Sequence, residues 1–357
     1  MNARRFGACL LCALLAGCAE LGYYAQSVGG QLSLLAARQP IPEVIADPAT
    51  DPQLAAKLGL ALEIREYASR VLKLPDNGSY RSYADLKRPY VVWNVWAAPE
   101  FSVTPREWCF PVAGCVTYRG YFADAAARAY AAEIAAGGDE TFVSGVAAYS
   151  TLGWFDDPVL NTFVRLPDYE LARLIFHELA HQVLYVKNDT TFNESFATLV
   201  EDEGVKRWMA DTGRAAQWAA FEASQRRRAQ FVTLATETRV RLAALYRMPL
   251  APEAMRARKA AIFADLRQQY AALKQQWGVG PNTARLDAFF AGANNATLAS
   301  VGTYTALVPA FALAYARSGG DFARFYEEVS RIAALPPAAR EAALAGGNAA
   351  AREALKL

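Results

Sequence analysis

Residues 174–204 read LIFHELAHQVLYVKNDTTFNESFATLVEDEG, and the fold expected for the chain turns on them. His177 and His181 are the two histidines in 357 residues, and Glu178 directly follows the first. On a helix over 170–186, side chains four apart share a face, so both imidazoles can reach one ion. Glu178 falls about 100° around that helix, where it can take a proton from an activated water without ligating. Leu174, Ile175, Phe176, Leu179, Ala180, Val183 and Leu184 bury the rest of the surface. A charged glutamate in so apolar a helix is costly unless a cation compensates it. An amphipathic helix can spell HExxH by chance. Against that stand the apolar flanks on both sides, the lack of any other histidine and the acidic segment that follows.

With both histidines used, a third ligand must be a carboxylate or a cysteine. Glu194 is the first choice, because two antiparallel helices joined by a turn bring it opposite the histidines. Two imidazoles, one glutamate and a water form a catalytic zinc arrangement. An iron facial triad uses the same ligand types, but nothing here points to an oxygenase co-substrate site. Asp168, after Pro167, is expected to cap the first helix and Asn193 the second. Glu201 lies seven residues beyond Glu194 on the same helical face. It either orients a ligating histidine or is a solvent acid beside Asp202 and Glu203.

HELAHQ followed by NESFATLVE resembles the gluzincin metallopeptidases. Over nearly its whole length the chain is similar to a family of predicted bacterial aminopeptidases within that clan, many of them lipoproteins. The similarity rests on YYAQSVGGQLSLLAARQPI (23–41), VVWNVWAAPEFSVTPREWCFPVAGCVTYRGYF (91–122), AAYSTLGWFDDPVLNTF (147–163), the 174–204 segment and TYTALVPAF (303–311). The resemblance implies that His177 and His181 are paired zinc ligands, Glu178 the general base and Glu194 the third ligand, acting on peptides. One departure stands out: 12 residues separate His181 from Glu194, a shorter interval than in the better-known gluzincins. Asp189, placed where one branch of the clan carries an aspartate ligand, is therefore kept as an alternative.

Hydrolysis of an amide also needs a donor for the developing oxyanion. A tyrosine, an arginine or a backbone N–H must serve, and Tyr149 and Tyr304 are the candidates. The glutamate-bearing GxMEN strand with which related aminopeptidases hold a free amine has no counterpart here, so exopeptidase and endopeptidase both stay open. Two other readings are a zinc hydrolase of another envelope amide, such as cell-wall peptides, and a non-catalytic zinc-binding scaffold. A structural site is closed, whereas a catalytic one keeps an open position.

The amino terminus bears on location. MNARR is basic, FGACLLCALLAG (6–17) is an apolar run of twelve, and LAGC (15–18) resembles the lipobox of bacterial lipoproteins, with Cys18 as the lipidated residue. Twelve apolar residues are too few to span a bilayer but suit a secretory signal. Ala19 follows, not the aspartate that retains lipoproteins on the inner membrane, which favours an outer-membrane anchor facing the periplasm. Removing residues 1–17 takes Arg4 and Arg5 from the 37 basic residues and nothing from the 35 acidic ones, so the charges balance. No nucleic-acid partner is expected from such a balance, and QRRRAQ (225–230) reads as the wet face of a long helix. Beyond Cys18 only Cys109 and Cys115 remain; an isolated close pair in an oxidising compartment predicts a disulfide.

The expected fold class is α+β and mostly helical, a zincin-like catalytic domain with a small mixed sheet beside the HExxH helix. Strands are expected in PYVVWNVWAAPEFSV (89–103), CVTYRGYF (115–122) and TFVSGVAAYSTLGWF (141–155), which are rich in β-branched and aromatic residues. The sheet should pack above the His-bearing helix, with long helices after 209 forming the other wall of the cleft. The expected divisions are a signal (1–17), a part holding the sheet and both motif helices (18–208), a helical part completing the cleft (209–335) and a fraying Ala-rich tail (336–357).

Overall fold

The computed structural model describes residues 21–110, 114–278, 283–301 and 307–354. The signal, Cys18 and Tyr304 lie outside the described residues. The chain is α+β and mostly helical, with helices α1 (21–36) to α13 and strands β1 to β8 numbered along it. At its centre lie α5 (Asp168–Val183) and α6 (Thr190–Asp211). Pro167 precedes α5, and Asp168 and Glu170 put negative charge in its first turn, where the helix dipole favours it. Asp168 is not the cap. It is the first helical residue, and its carboxylate accepts from Lys57 Nζ (2.6 Å) and Gln217 Nε2 (3.0 Å). Leu171, Ala172, Ile175, Phe176, Leu179 and Ala180 are buried, each larger apolar side chain contributing about 1.5–3 kcal/mol. Helix α6 is buried on nearly every side, from Phe192 to Met209. Gly204 lets it lie close to α5, since a Cβ there would meet Leu72 Cδ1 at 2.9 Å and Phe176 Cδ2 at 3.0 Å.

The link between these helices is only residues 184–189, and three devices hold it. Asp189, not Asn193, caps α6, its Oδ1 accepting from Phe192 N at 3.0 Å. Asn193 sits inside the helix, 2 % exposed, and clamps the link: Val186 N donates to its Oδ1 (2.7 Å) and its Nδ2 donates to Val186 O (2.8 Å). A hairpin of β4 (Trp108–Phe110) and β5 (Gly114–Val116), closed by the Cys109–Cys115 disulfide, leans on the same link. Cys115 N donates to Asn188 Oδ1 at 2.8 Å. Gly114 has φ +77°, and a Cβ there would fall 2.1 Å from that oxygen; no larger residue fits.

The main sheet places β3 (Val92–Pro99) between β6 (Arg119–Tyr121) and β7 (Asp139–Val146), antiparallel to both. Both faces of β3 are covered, which explains its unbroken apolar run. Trp93 and Val95 pack with Tyr121 and with Ala127 and Ala131 of α4 (Asp124–Ala136). Trp96 and Ala98 face the other way, against Tyr118, Phe142 and Ala296 of α10 (Asn295–Ala299). The expected mixed sheet is thus antiparallel throughout. Among the described residues, parallel pairing occurs only between β2 (Ser82–Ala84) and β8 (Val159–Leu160), in a second small sheet completed by β1 (Arg38–Pro40). CVTYRGYF divides between β5 and β6, which belong to different sheets. The strand expected over 141–155 stops at Val146, leaving Tyr149 in the loop beyond.

After α6, the long α7 (Trp218–Tyr246) and α8 (Pro252–Trp277) pair over a core of their own with α9 (Thr283–Ala291). The chain then returns to α6 through α11 (Val308–Arg317), α12 (Phe322–Ala333) and α13 (Pro337–Ala354). One apolar core runs from Leu34 to Leu344, across the division expected at 208/209. The segment expected to fray forms α13, with Arg340 and Leu344 buried. Arg340 Nε and Nη2 each lie 3.0 Å from Asp189 Oδ2. Among the described residues no helix is long and apolar enough to cross a membrane.

Asn193→Ala strips the partly buried N–H and C=O of Val186 of their partners, so a loss of about 1–2 kcal/mol is expected. Urea titration reads it. A midpoint equal to the wild type's would show that the clamp is dispensable.

Candidate metal centre

Three ligand atoms converge where α5 faces α6. His177 Nε2 and His181 Nε2 are 3.2 Å apart. Glu194 Oε2 is 3.4 Å from the first and Glu194 Oε1 3.8 Å from the second. Ligand atoms of the three side chains all lie within 4.8 Å of one another. Four-coordinate zinc with bonds of about 2.0–2.1 Å sets its ligand atoms roughly 3.3 Å apart, so the spacing and donor set fit such an ion. Asp189 plays no part in this cluster: its two oxygens serve the α6 cap and Arg340.

Behind His177 lies Glu201, whose side chain is 3 % exposed. Its Oε2 is 2.8 Å from His177 Nδ1, and its Oε1 meets Arg173 Nε (3.0 Å) and Arg228 Nη1 (2.6 Å). With Nδ1 directed at the carboxylate, Nε2 is left to face Glu194 and His181. Arg228 comes from the QRRRAQ run of α7, so that run is not wholly a wet face. Its neighbour Arg226 does lie at the surface, near Glu222. The buried Nδ1 atoms of both histidines lack a well-aligned hydrogen bond among the described residues, but that of His177 has the Glu201 carboxylate at 2.8 Å, an ion-pair contact with no counterpart shown for His181.

The electrostatics follow from burial and these contacts. Burial raises Glu201, but Arg173 and Arg228 outweigh it and hold the carboxyl far below its usual range. Burial lowers His177, yet Glu201 and Glu194 overcome it and bring the imidazole up to about 10. For His181 burial wins, and its pKa drops to about 4. Burial, reinforced by the charges of Glu194, Asp157 and Glu201 against that of His177, raises Glu178 to about 7. A general base works best with a pKa near the operating pH.

Of the two tyrosine candidates, Tyr149 is engaged by other partners. Tyr149 donates its hydroxyl to Gln31 Oε1, and its charged neighbours are Asp157 and Arg88. Tyr304 lies outside the described residues. Tyr118, on the sheet face that also carries Trp96 and Phe142, is the tyrosine that senses both site carboxylates. Its pKa is raised by burial first and then by Glu194, Tyr185 and Glu178. Nothing in VTYRGY marks it out among 17 tyrosines. Arg228, Tyr80 and Asp157 likewise reach this part of the fold only through tertiary packing, whereas Arg173 lies one turn before His177 on α5.

A family model described as putative aminopeptidase matches residues 22–344. No curated protein and no solved structure matches the chain.

At pH 8 the free site carries a proton on His177 and none on His181, while most Glu178 is ionised. Binding a divalent cation should therefore release about one proton per chain, a release that fades as the pH approaches 10 and His177 gives up its proton unaided. Calorimetry in two buffers of different ionisation enthalpy measures it. No release at pH 8 would show a neutral His177 before the cation arrives.

Proposed function

The chain belongs to the putative aminopeptidase family, and from that premise and the converging side chains we propose that it is a zinc-dependent peptidase with a zincin-like catalytic domain. The observation that carries the proposal is the spacing of His177, His181 and Glu194, which suits one tetrahedral ion. These three residues would hold the zinc. The chemistry such an ion supplies when bound is to acidify a water and polarise a carbonyl. Glu178, alongside but outside the ligand set, accepts the proton of the attacking water and hands it to the leaving amine. Glu201 fixes the ring of His177 and strengthens it as a ligand. Tyr118 stands on the sheet side, where its hydroxyl can donate to the peptide carbonyl as charge builds on the oxygen.

The same proposal locates the protein in the cell envelope, held by lipid on Cys18 and facing the periplasm. The Cys109–Cys115 bridge suits that oxidising compartment. Its substrates there are peptides.

Purified full-length protein should hold one zinc per chain by elemental analysis and cleave members of a mixed peptide library. Glu178→Gln should keep the metal and lose roughly 10²–10⁴-fold in kcat; full activity in that variant would remove Glu178 from the mechanism. Glu194→Ala should lose the metal. Normal zinc uptake by Glu194→Ala would sink the ligand assignment.

Glu201→Gln should weaken zinc binding about 10–100-fold, read by competition with a chelator. Unchanged affinity would reduce Glu201 to a structural ion-pair partner.

A further inference from the structure

Helix α1 (21–36) presents an apolar face that nothing among the described residues covers. Its inward side is fully engaged. Tyr23 stacks on Phe110 of the hairpin, with ring centroids 5.6 Å apart, and the Arg119 guanidinium lies over its ring at 4.0 Å. Gln26 grips the sheet edge at β6: its Oε1 accepts from Phe122 N (3.0 Å) and its Nε2 donates to Gly120 O (3.4 Å). Gly30 lets the helix settle on the Phe122 ring, which a Cβ would meet at 2.1 Å, and Leu34 is buried in the main core. Positions 23, 26, 30 and 34 thus seat α1 on the protein.

The opposite side repeats with the same period and has no partner. Leu21, Val28 and Leu32 are 71, 58 and 59 % exposed, and Tyr24 is exposed beside them. At 100° per residue these four fall within about 80° of the helix circumference. The other exposed positions are Gly22, Ala25, Gly29, Ser33 and Ala36, and no charged residue occurs from 21 to 37. A helix facing water carries charged and polar residues on that side. Single exposed apolar residues need no explanation, but a contiguous row of them marks a contact surface.

What covers the row is indicated by where the helix starts. Leu21 is three residues after Cys18, and three residue steps span at most about 10 Å. With lipid on Cys18, the start of α1 stays within that distance of a bilayer. The helix is roughly 24 Å long, short of the ~30 Å hydrocarbon core of a membrane, so it can lie along the surface but not cross it. Interfacial helices bury an apolar face about 5–10 Å into the boundary between headgroups and acyl chains, a depth that tyrosine favours. The tether also favours lipid over a second copy of the chain, because it holds the row beside the bilayer at high effective concentration.

We infer that the Leu21–Leu32 face of α1 inserts into the phospholipid surface to which Cys18 is anchored, as a second, non-covalent membrane contact that fixes the orientation of the body. The inference rests on the lipid-anchor reading of Cys18 and deepens it. A tether alone lets the body swing, whereas a tether and a helix lying along the surface hold it in one attitude.

The test uses the lipidated mature protein carrying Leu32→Cys in vesicles of phosphatidylethanolamine and phosphatidylglycerol. With Cys18 acylated and Cys109 and Cys115 bridged, a thiol-reactive bimane labels position 32 alone. Lipids bearing a nitroxide near the start of the acyl chain should quench this label several-fold more than one at Glu237→Cys, an exposed site of α7. Adding Val28→Glu should bring the two sites to within a few tens of per cent of each other at an unchanged urea midpoint; should that variant not fold, Ala25→Glu on the same face takes its place. Equal quenching at the two sites, or quenching untouched by the glutamate, would overturn the inference. So would pairwise cross-linking of vesicle-bound chains through position 32 without quenching by lipid, which makes the row a self-interface. Mass spectrometry of the mature wild type tests the lipid-anchor premise by itself. If Cys18 carries no lipid, flotation of the chain with the same vesicles decides. The inference then stands if the wild type floats and the Val28→Glu, Leu32→Glu double variant does not, and falls if both float or neither does.

Discussion

The site depends on one buried carboxylate. Glu201 is a charge on the most enclosed helix of the protein, and alone it would be among the costliest groups in the core. It persists because α5 and α7 each send a guanidinium, Arg173 and Arg228, to the same oxygen. The other oxygen then faces His177 Nδ1. Three helices are thereby drawn to a single point, and the direction of one imidazole is set as a consequence. Removing either arginine shifts the balance of charge around His177 as well as the packing of its helix.

A second constraint is the brevity of the connection between α5 and α6. Six residues leave little slack to bring Glu194 opposite His177 and His181, and the link is fastened from inside, outside and below. Asn193 imitates a backbone partner for Val186, the disulfide hairpin holds Asn188, and Arg340 of the last helix holds Asp189. The short interval that makes Asp189 a candidate ligand in the sequence is resolved by these contacts. Asp189 has two other partners, and Glu194, a turn further on, is the residue that faces the imidazoles.

What was legible follows the range of the forces involved. HExxH on a helix, a carboxylate on the next helix and the cysteine pair are recorded in local spacing, although α5 ends at Val183, short of the expected 186, and Glu194 lies a turn inside α6 and not at its start. That Asp189 and not Asn193 caps α6 was not legible, because both residue types are good caps and Asn193 is drawn instead to the backbone of Val186. Arg228 looked like part of a wet helical face, since nothing near it in sequence announces Glu201. VTYRGY reads as one strand, yet the hairpin and the main sheet claim its two ends separately, and Tyr118 sits at the division. Alanine-rich α13 reads as a tail because its anchor, Arg340, acts on a residue far away in the chain.

The charges around α5 are arranged asymmetrically. On the His177 side each acid has a cation: Glu201 has two arginines and an imidazole, and Glu194 faces both histidines. On the Glu178 side burial prevails over the cations that act there, His177 on Glu178 and Arg38 on Asp157. Glu178 is raised by burial and by Asp157, Asp157 is itself pushed up to about 6 by burial, and Tyr80 adds an unsatisfied hydroxyl. The His177 side is held in fixed geometry by its ion pairs, and Glu178, on the same helix, stands at the boundary between the two environments.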